Sequence, residues 1–266
     1  MTVDIQARQR FVEQYRQVRH AEGRGSQDPN YYRALPYQDL TGRNSPMWAM
    51  RARSYRYLES KLLPSWERTA NRPLDILDLG AGNCWMSYRL ALRKHRVTAL
   101  DIFGDPLDGL RAATAYPVPI PAIEAEFNAL PFATQSFDLV IYNAAIHYST
   151  NYFETLREAE RCLRRSGRIV ILDSPVYRKH EHGLRMVAER KLAYEQKYGF
   201  ASDAMKSIEF LDTPILGCLA ESLGLQWRVY RPWYGWRWHM RPLKALLGRT
   251  RPPSSFWILV GSFSRP

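Results

Sequence analysis

The run Asp75-Ile-Leu-Asp78-Leu-Gly80-Ala-Gly82-Asn83-Cys84 decides the fold of this chain. Leu74, Ile76, Leu77 and Leu79 form the short apolar stretch of a buried strand, and the glycines that follow break it into a turn. Gly80 and Gly82 lack the Cβ that would hold a ligand away from the backbone. A helix expected over residues 85–93, with Met86 and Leu90 paired at i, i+4, then leaves the turn. Strand, glycine turn and helix in that order bring bare backbone against a bound cofactor, and Asp78 sits where the strand gives out.

The same rhythm repeats downstream. Residues 95–100 read as a second strand ending in Asp101-Ile102, 106–115 as a helix, and 118–124 as a short third strand. Residues 136–142 make a fourth strand that ends in Asn143-Ala-Ala-Ile-His147-Tyr148. Phe153, Leu156, Ala159 and Leu163 trace a helix closed at Ser166-Gly167 by a left-handed glycine cap, and 168–173 is a fifth strand. Strands alternating with helices predict an α/β fold, a parallel sheet wound on both faces. A charged helix over 181–198 and a capped helix from Thr213-Pro214 to just before Gly224 follow. Residues 225–231 and 255–263 complete a seven-stranded sheet.

Upstream, residues 5–20 are helical, with Phe11, Val12, Tyr15 and Val18 on one side. Residues 23–46 are rich in turn formers, yet Tyr31, Tyr32, Leu35 and Tyr37 make them too apolar for a linker. They are expected to lie over the main domain as a lid. A further helix starts at Pro46, capped by Ser45, and ends at Pro64. It places Trp48, Ala52, Tyr55 and Leu62 on one face and Arg51 at its edge. The expected division is an N-terminal helical lid over 1–72 and a main domain over 73–266, with insertions at about 178–224 and 232–254.

Composition narrows the class. The 266 residues are 45% hydrophobic and 24% charged, an ordinary globular balance. No segment approaches the ~18 to 20 apolar residues of a membrane helix, and residues 1–17 lack a leader pattern, so a cytoplasmic location is the default expectation. Cys84, Cys162 and Cys218 are widely spaced, which suggests neither a disulfide framework nor a metal site. The net charge of +12 is concentrated late. Residues 227–266 carry eight of the basic residues, five of the eight tryptophans and no acid. Such a segment suits a solvated basic surface, a nucleic acid, an acidic small molecule or a lipid headgroup layer.

A dinucleotide is the first candidate for the glycine turn, because an acid at the end of the second strand completes that layout. However, the third glycine of its fingerprint would fall at position 85, where Trp85 stands. Asp78 beside the turn would also repel a diphosphate. Both residues suit a cofactor that lacks phosphate and carries a cation.

With these motifs the chain resembles the class I S-adenosylmethionine-dependent methyltransferases, most closely the small-molecule enzymes that carry LPF followed by SFDLV. The likeness spans residues 75–173 and implies a Rossmann-like methyltransferase sheet whose last strand is antiparallel. It assigns the cofactor S-adenosylmethionine to Asp78, Gly80, Ala81 and Gly82 of the first motif. Asp101 and Ile102 are implied at the ribose, Glu126 and Phe127 at the adenine, and Asn143 near the sulfonium. Cys84 stands where the family has its third glycine.

Methyl transfer is an in-line displacement that needs alignment, exclusion of water and, for some acceptors, removal of a proton. His147, four residues past Asn143, is the candidate base. Asp173, Ser174 and Tyr177 are the next polar groups expected at the pocket, and Arg51 is placed to clamp the cofactor's carboxylate. The expected acceptor is a small molecule. An RNA substrate is disfavoured by the absence of a [DN]-P-P-[YF] run after the fourth strand. Residues 227–251 leave contact with an anionic or membrane surface open, and a non-catalytic protein that binds the same cofactor is a further alternative. Oligomeric state is not fixed by the sequence.

Overall fold

The computed structural model describes residues 5–264. The first four and last two positions of the spans named above lie outside the described residues. In chain order the helices and strands are α1 (Ile5–Ala21), α2 (Pro29–Ala34), α3 (Ser45–Tyr57), α4 (Leu63–Ala70), β1 (Asp75–Leu79), α5 (Trp85–Leu92), β2 (Arg96–Asp101), β3 (Ala122–Glu124), β4 (Phe137–Asn143) and α6 (Tyr152–Cys162). They continue as β5 (Leu163–Leu172), β6 (Val176–Tyr177), α7 (His180–Tyr198), β7 (Leu211–Asp212), α8 (Thr213–Leu223), β8 (Leu225–Tyr230), α9 (Trp236–His239), α10 (Arg241–Leu247) and β9 (Ile258–Phe263).

Seven strands form one sheet in the order β3-β2-β1-β4-β5-β9-β8. The first five in sequence pair in parallel, and β9 runs antiparallel between β5 and β8. This is the Rossmann-like methyltransferase sheet expected from the sequence. Alternation along β1 splits the core in two. Ile76 faces Trp85, Tyr55 and Leu63, while Leu77 and Leu79 face Leu156, Leu216 and Leu219. Both faces are covered, so the strand reads as a nearly continuous apolar run. β1 and β4 sit centrally, and their C-terminal ends, with that of β2, frame the glycine turn.

The N-terminal segment packs into this core rather than lying on it. Tyr31, Leu35, Trp48 and Tyr55 are essentially inaccessible and share a cluster with Ile76, Trp85 and Met86. Arg89 ties the segment down from α5 by donating to the carbonyls of Leu35 and Arg33, both at 2.7 Å.

Several local expectations are corrected. Pro64 does not end the helix that starts at residue 45. A π-helical stretch, Leu58–Leu62, carries the chain into α4, where Pro64 occupies the first turn and needs no N–H. Ser45 is the first helical residue rather than the cap, which is Asn44, and its hydroxyl turns back to Asp39 and Gly42. The helix expected over 106–115 shrinks to a 3₁₀ segment, Leu110–Ala115, because Asp105 and Gly109 hold the preceding loop in turns. No left-handed cap forms at Gly167. α6 ends at Cys162, and β5 begins at once, bulging against β4 between Phe137 and Leu139. The third strand is only Ala122–Glu124. A small second sheet, β6 with β7, was not foreseen from the sequence.

Candidate active site

The glycine turn is held by the strand ends around it. Gly80 and Gly82 have φ of 71° and 52°, left-handed values that glycine adopts without cost. A Cβ on Gly80 would come within 2.3 Å of the Ala145 Cβ, so the segment after β4 closes directly onto the turn. Cys84 is also left-handed, at φ 62°, and is buried. That explains the family's glycine at this position; a cysteine here bears a steric cost of ~1 to 2 kcal/mol.

Asp101 lies where β2 ends. Its Oδ2 accepts from the Gly82 N–H at 2.8 Å and its Oδ1 from the Phe103 N–H at 3.0 Å. The two backbone bonds fix the carboxylate's orientation while each oxygen keeps a second lone pair for a ligand hydroxyl. Burial nonetheless pushes its pKa up. Asp78 sits behind the turn, 1% exposed, and accepts from Ser87 Oγ at 2.6 Å. Burial and, less strongly, the Asp101 charge raise it to about 6.

Gly80, Ala81, Gly82, Asp101, Ile102 and Asn143 line one cavity together, as the sequence placed them. Arg51 joins them from α3. Asp78, Glu126 and Phe127 do not line it. Glu126 pairs with Arg8 of α1 at 3.7 Å, and Phe127 packs edge-on to Tyr142, 5.6 Å between centroids. The remaining lining, which the sequence did not reveal, comes largely from α1: Phe11, Tyr15 and Arg19, together with Tyr148 and Asp108. The one signal for it in the sequence is the apolar side of that helix, which carries Phe11 and Tyr15.

A second, larger cavity of about 330 Å³ adjoins the first and shares Arg51, Ala144, Tyr148, Tyr15 and Arg19 with it. His147 and Asp173 face this chamber, with Met186, Arg190 and Tyr194 of α7 opposite. Its charges are mostly paired. Arg190 grips Glu209 with both bonds at 2.6 Å, Arg24 meets Glu22 at 2.9 Å, and Arg19 bonds Asp108. Burial works against the Arg19 charge, but the Asp108 carboxylate together with Tyr15 and Tyr148 outweighs it and raises the guanidinium pKa. Arg51 differs. Its Nε has no hydrogen-bond partner among the described residues, its ring contact is Trp48 at 5.0 Å, and burial together with Arg19 lowers its pKa.

His147 Nδ1 lies 3.1 Å from Ser174 Oγ. Burial, then Arg51 and Arg190, pushes the imidazole down to about 3, so it is neutral at ordinary pH. Asp173, left-handed at the end of β5, receives the Ser54 hydroxyl, and Tyr234 lies 2.8 Å from the same Ser54 oxygen. Tyr177 faces away from the chamber and bonds Arg251 at 2.8 Å. Among the described residues no group of three His, Cys, Asp or Glu could hold a metal.

The donor set fits S-adenosylmethionine. Asp101 offers a fixed carboxylate for two ribose hydroxyls, and two buried atoms beside the turn await partners of opposite character. The Asn143 Oδ1 is an unfilled acceptor suited to an ammonium, and the Arg51 Nε an unfilled donor suited to a carboxylate. The space on the turn side is about 80 Å³, well under the ~300 Å³ at the lower end of ligand sites, because α1 closes down on it.

Comparison with known proteins agrees with this geometry. Residues 77–171 match a family model described as a methyltransferase domain. A malonyl-[acyl-carrier protein] O-methyltransferase of Legionella pneumophila is 30% identical over 118 residues, which are 44% of this chain and 42% of that relative. The enzyme of the same name from Erwinia pyrifoliae is 34% identical over 97 residues, 36% of each chain. The chain thus matches less than half the length of these curated relatives. Among solved structures, the YcgJ protein of Bacillus subtilis superposes with a TM-score of 0.54 at 13% identity, covering 77% of this chain and 98% of that one. The PH0226 protein of Pyrococcus horikoshii gives 0.52 at 17% identity, covering 88% and 99%. Those two likenesses establish the sheet and its helices alone. With the matched segment, the strand-end acids and the two unfilled polar atoms all meeting at one glycine turn, residues 77–171 form a domain of the class I S-adenosylmethionine-dependent methyltransferase family.

Proposed function

We propose that the protein transfers a methyl group from S-adenosylmethionine to a small-molecule acceptor seated in the 330 Å³ chamber, and that the acceptor atom is a carboxylate oxygen. The observation that carries this reading is the neutral His147 facing a chamber whose wall is shared with the glycine-turn cavity. When bound, the cofactor supplies an activated methyl on a cationic sulfur. Asp101 would hold the ribose, Asn143 and Arg51 the amino-acid end, and α1, rather than the core-packed segment that follows it, acts as a lid that lifts to admit the ligand. Glu126 and Phe127 reach the adenine once Glu126 is released from Arg8.

A base with a pKa near 3 gives little driving force for deprotonating a hydroxyl or an ammonium. A carboxylate is nucleophilic without losing a proton, so alignment and dryness suffice. We therefore place His147 as a hydrogen-bonding group that orients the acceptor, with Ser174 fixing its ring. The relatives named for O-methylation of a malonyl group support an oxygen acceptor.

The test is release of S-adenosylhomocysteine with malonyl and other dicarboxylate half-thioesters, set against amines and phenols. Carboxylates are expected to turn over, with a rate that is flat from pH 6 to 8. His147→Asn lowers kcat by less than about tenfold and leaves the profile flat. A rate limb near neutrality that disappears in this variant would overturn the reading and restore His147 as the base. Stability gives a second readout. An imidazole kept neutral in the fold but free to protonate near 6.5 when unfolded loses stability as pH falls from about 6.5 toward 3. His147→Asn should accordingly narrow the drop in melting temperature between pH 7 and pH 5.

A further inference from the structure

Residues 233–249 leave the sheet between β8 and β9 and fold into α9 and α10, joined at Met240, whose φ of −79° and ψ of −8° continue the turn. Trp236, Met240, Leu243 and Leu247 recur at spacings of four and three, which places them along one side of the helical path, and Trp233 packs edge-on to Trp236 just before it, 5.2 Å between centroids. All five are exposed, Trp236 and Leu247 at 76% each, and Leu246 beside them at 75%. Among the described residues none buries the stripe, whose least exposed member, Met240, is still 40% accessible. Arg237, Arg241, Lys244 and Arg249 flank it, and no acidic residue occurs after Glu221. The Arg241 guanidinium lies 3.8 Å over the Trp238 ring.

We propose that this segment is a peripheral membrane-binding face for anionic lipid. The apolar stripe enters the boundary between headgroups and acyl chains, and the flanking cations meet lipid phosphates. Aliphatic leucines at the tip of the stripe have no use in stacking on bases, which separates this surface from a nucleic-acid groove. The charge complement needed on the other side is negative throughout, since the segment itself supplies no counterion. Its position is also apt. Trp238 packs on Phe256 at 5.2 Å, and Phe256 lines the acceptor chamber, so a membrane seat would lie one aromatic layer from that chamber.

The experiment is co-sedimentation of the full chain with vesicles of phosphatidylcholine alone and of phosphatidylcholine with phosphatidylglycerol in equal parts. The chain should pellet with the mixed vesicles, shift its tryptophan emission to shorter wavelength, and release as salt is raised. The double variant Trp236→Ser, Leu247→Ser should bind at least about tenfold more weakly, and Arg237→Glu with Lys244→Glu should lose only the dependence on phosphatidylglycerol. S-adenosylmethionine affinity measured on the same preparations shows that the variants are folded, and it separates failure here from failure of the methyl-transfer reading. Equal vesicle binding by the double variant, or no binding by the parent chain at low salt, overturns the proposal. So does a stripe-dependent dimer or complex with an acidic protein that forms while the vesicles stay unbound.

Discussion

The two adjoining cavities are built from different materials. The turn-side cavity is framed by strand ends, and its groups are set by backbone: glycine φ values, the Gly82 and Phe103 N–H groups on Asp101, and the close approach of Ala145. The acceptor chamber is framed by side chains from α1, α3 and α7 whose charges, Arg51 apart, are paired. A backbone-defined site can be shared among proteins with little sequence in common. A side-chain-defined site changes with every substitution, and under the proposed function it is the half that would set the acceptor.

That contrast can be broken by experiment. The largest effect should come from Asp101→Ala, which removes two ligand bonds to a charged group; at about 1.5 to 3 kcal/mol each, cofactor affinity measured by calorimetry falls a hundredfold or more. An unchanged affinity would mean that the turn-side cavity does not hold the ribose. Gly80→Ala comes next and should act on stability. Its Cβ meets Ala145 at 2.3 Å and its φ is left-handed, so a loss of about 2 to 4 kcal/mol in denaturant melts is expected. A fully stable Gly80→Ala would show that the turn is less backbone-determined than described. The smallest effect belongs to Cys84→Gly. Relief of left-handed strain, ~1 kcal/mol, offsets the loss of a small buried side chain of similar worth, so the melting midpoint should barely move.

The same contrast accounts for what the sequence disclosed. Strand ends advertise themselves, because an apolar run followed by an acid or glycine has few other uses. Asp101, Gly80, Gly82 and Asn143 were therefore assignable to one cavity before any coordinates. Arg51 was legible only as a position on a helix edge; whether it faced solvent or ligand depended on how α3 docks. Tyr15 was legible only as part of an apolar helix side, and Arg19 and Arg190 were not legible at all. Their roles arise from contacts across 89 residues for Arg19 with Asp108 and 19 for Arg190 with Glu209, and no local pattern encodes such pairings. Pro64 misled for a related reason: a proline in the first turn of a new helix looks, in sequence, like the end of the previous one. Glu126 matched its motif yet turns to Arg8, because α1 brings a cation that the motif does not mention.

Counting protons at the floor of the chamber gives one more consequence. Tyr234 contacts both Ser54 and the carbonyl of Phe256, and Ser54 contacts Asp173, so three oxygen–oxygen contacts are served by two hydroxyl hydrogens. If Ser54 donates to Asp173 and Tyr234 to Ser54, the Phe256 carbonyl is left without a hydrogen. With the Ser54 hydrogen given to Asp173, the Ser54 oxygen and the Phe256 carbonyl compete for the single Tyr234 hydrogen. Asp173 also keeps its Oδ2 without a partner among the described residues, so the chamber wall favours a molecule that brings a hydrogen-bond donor to it.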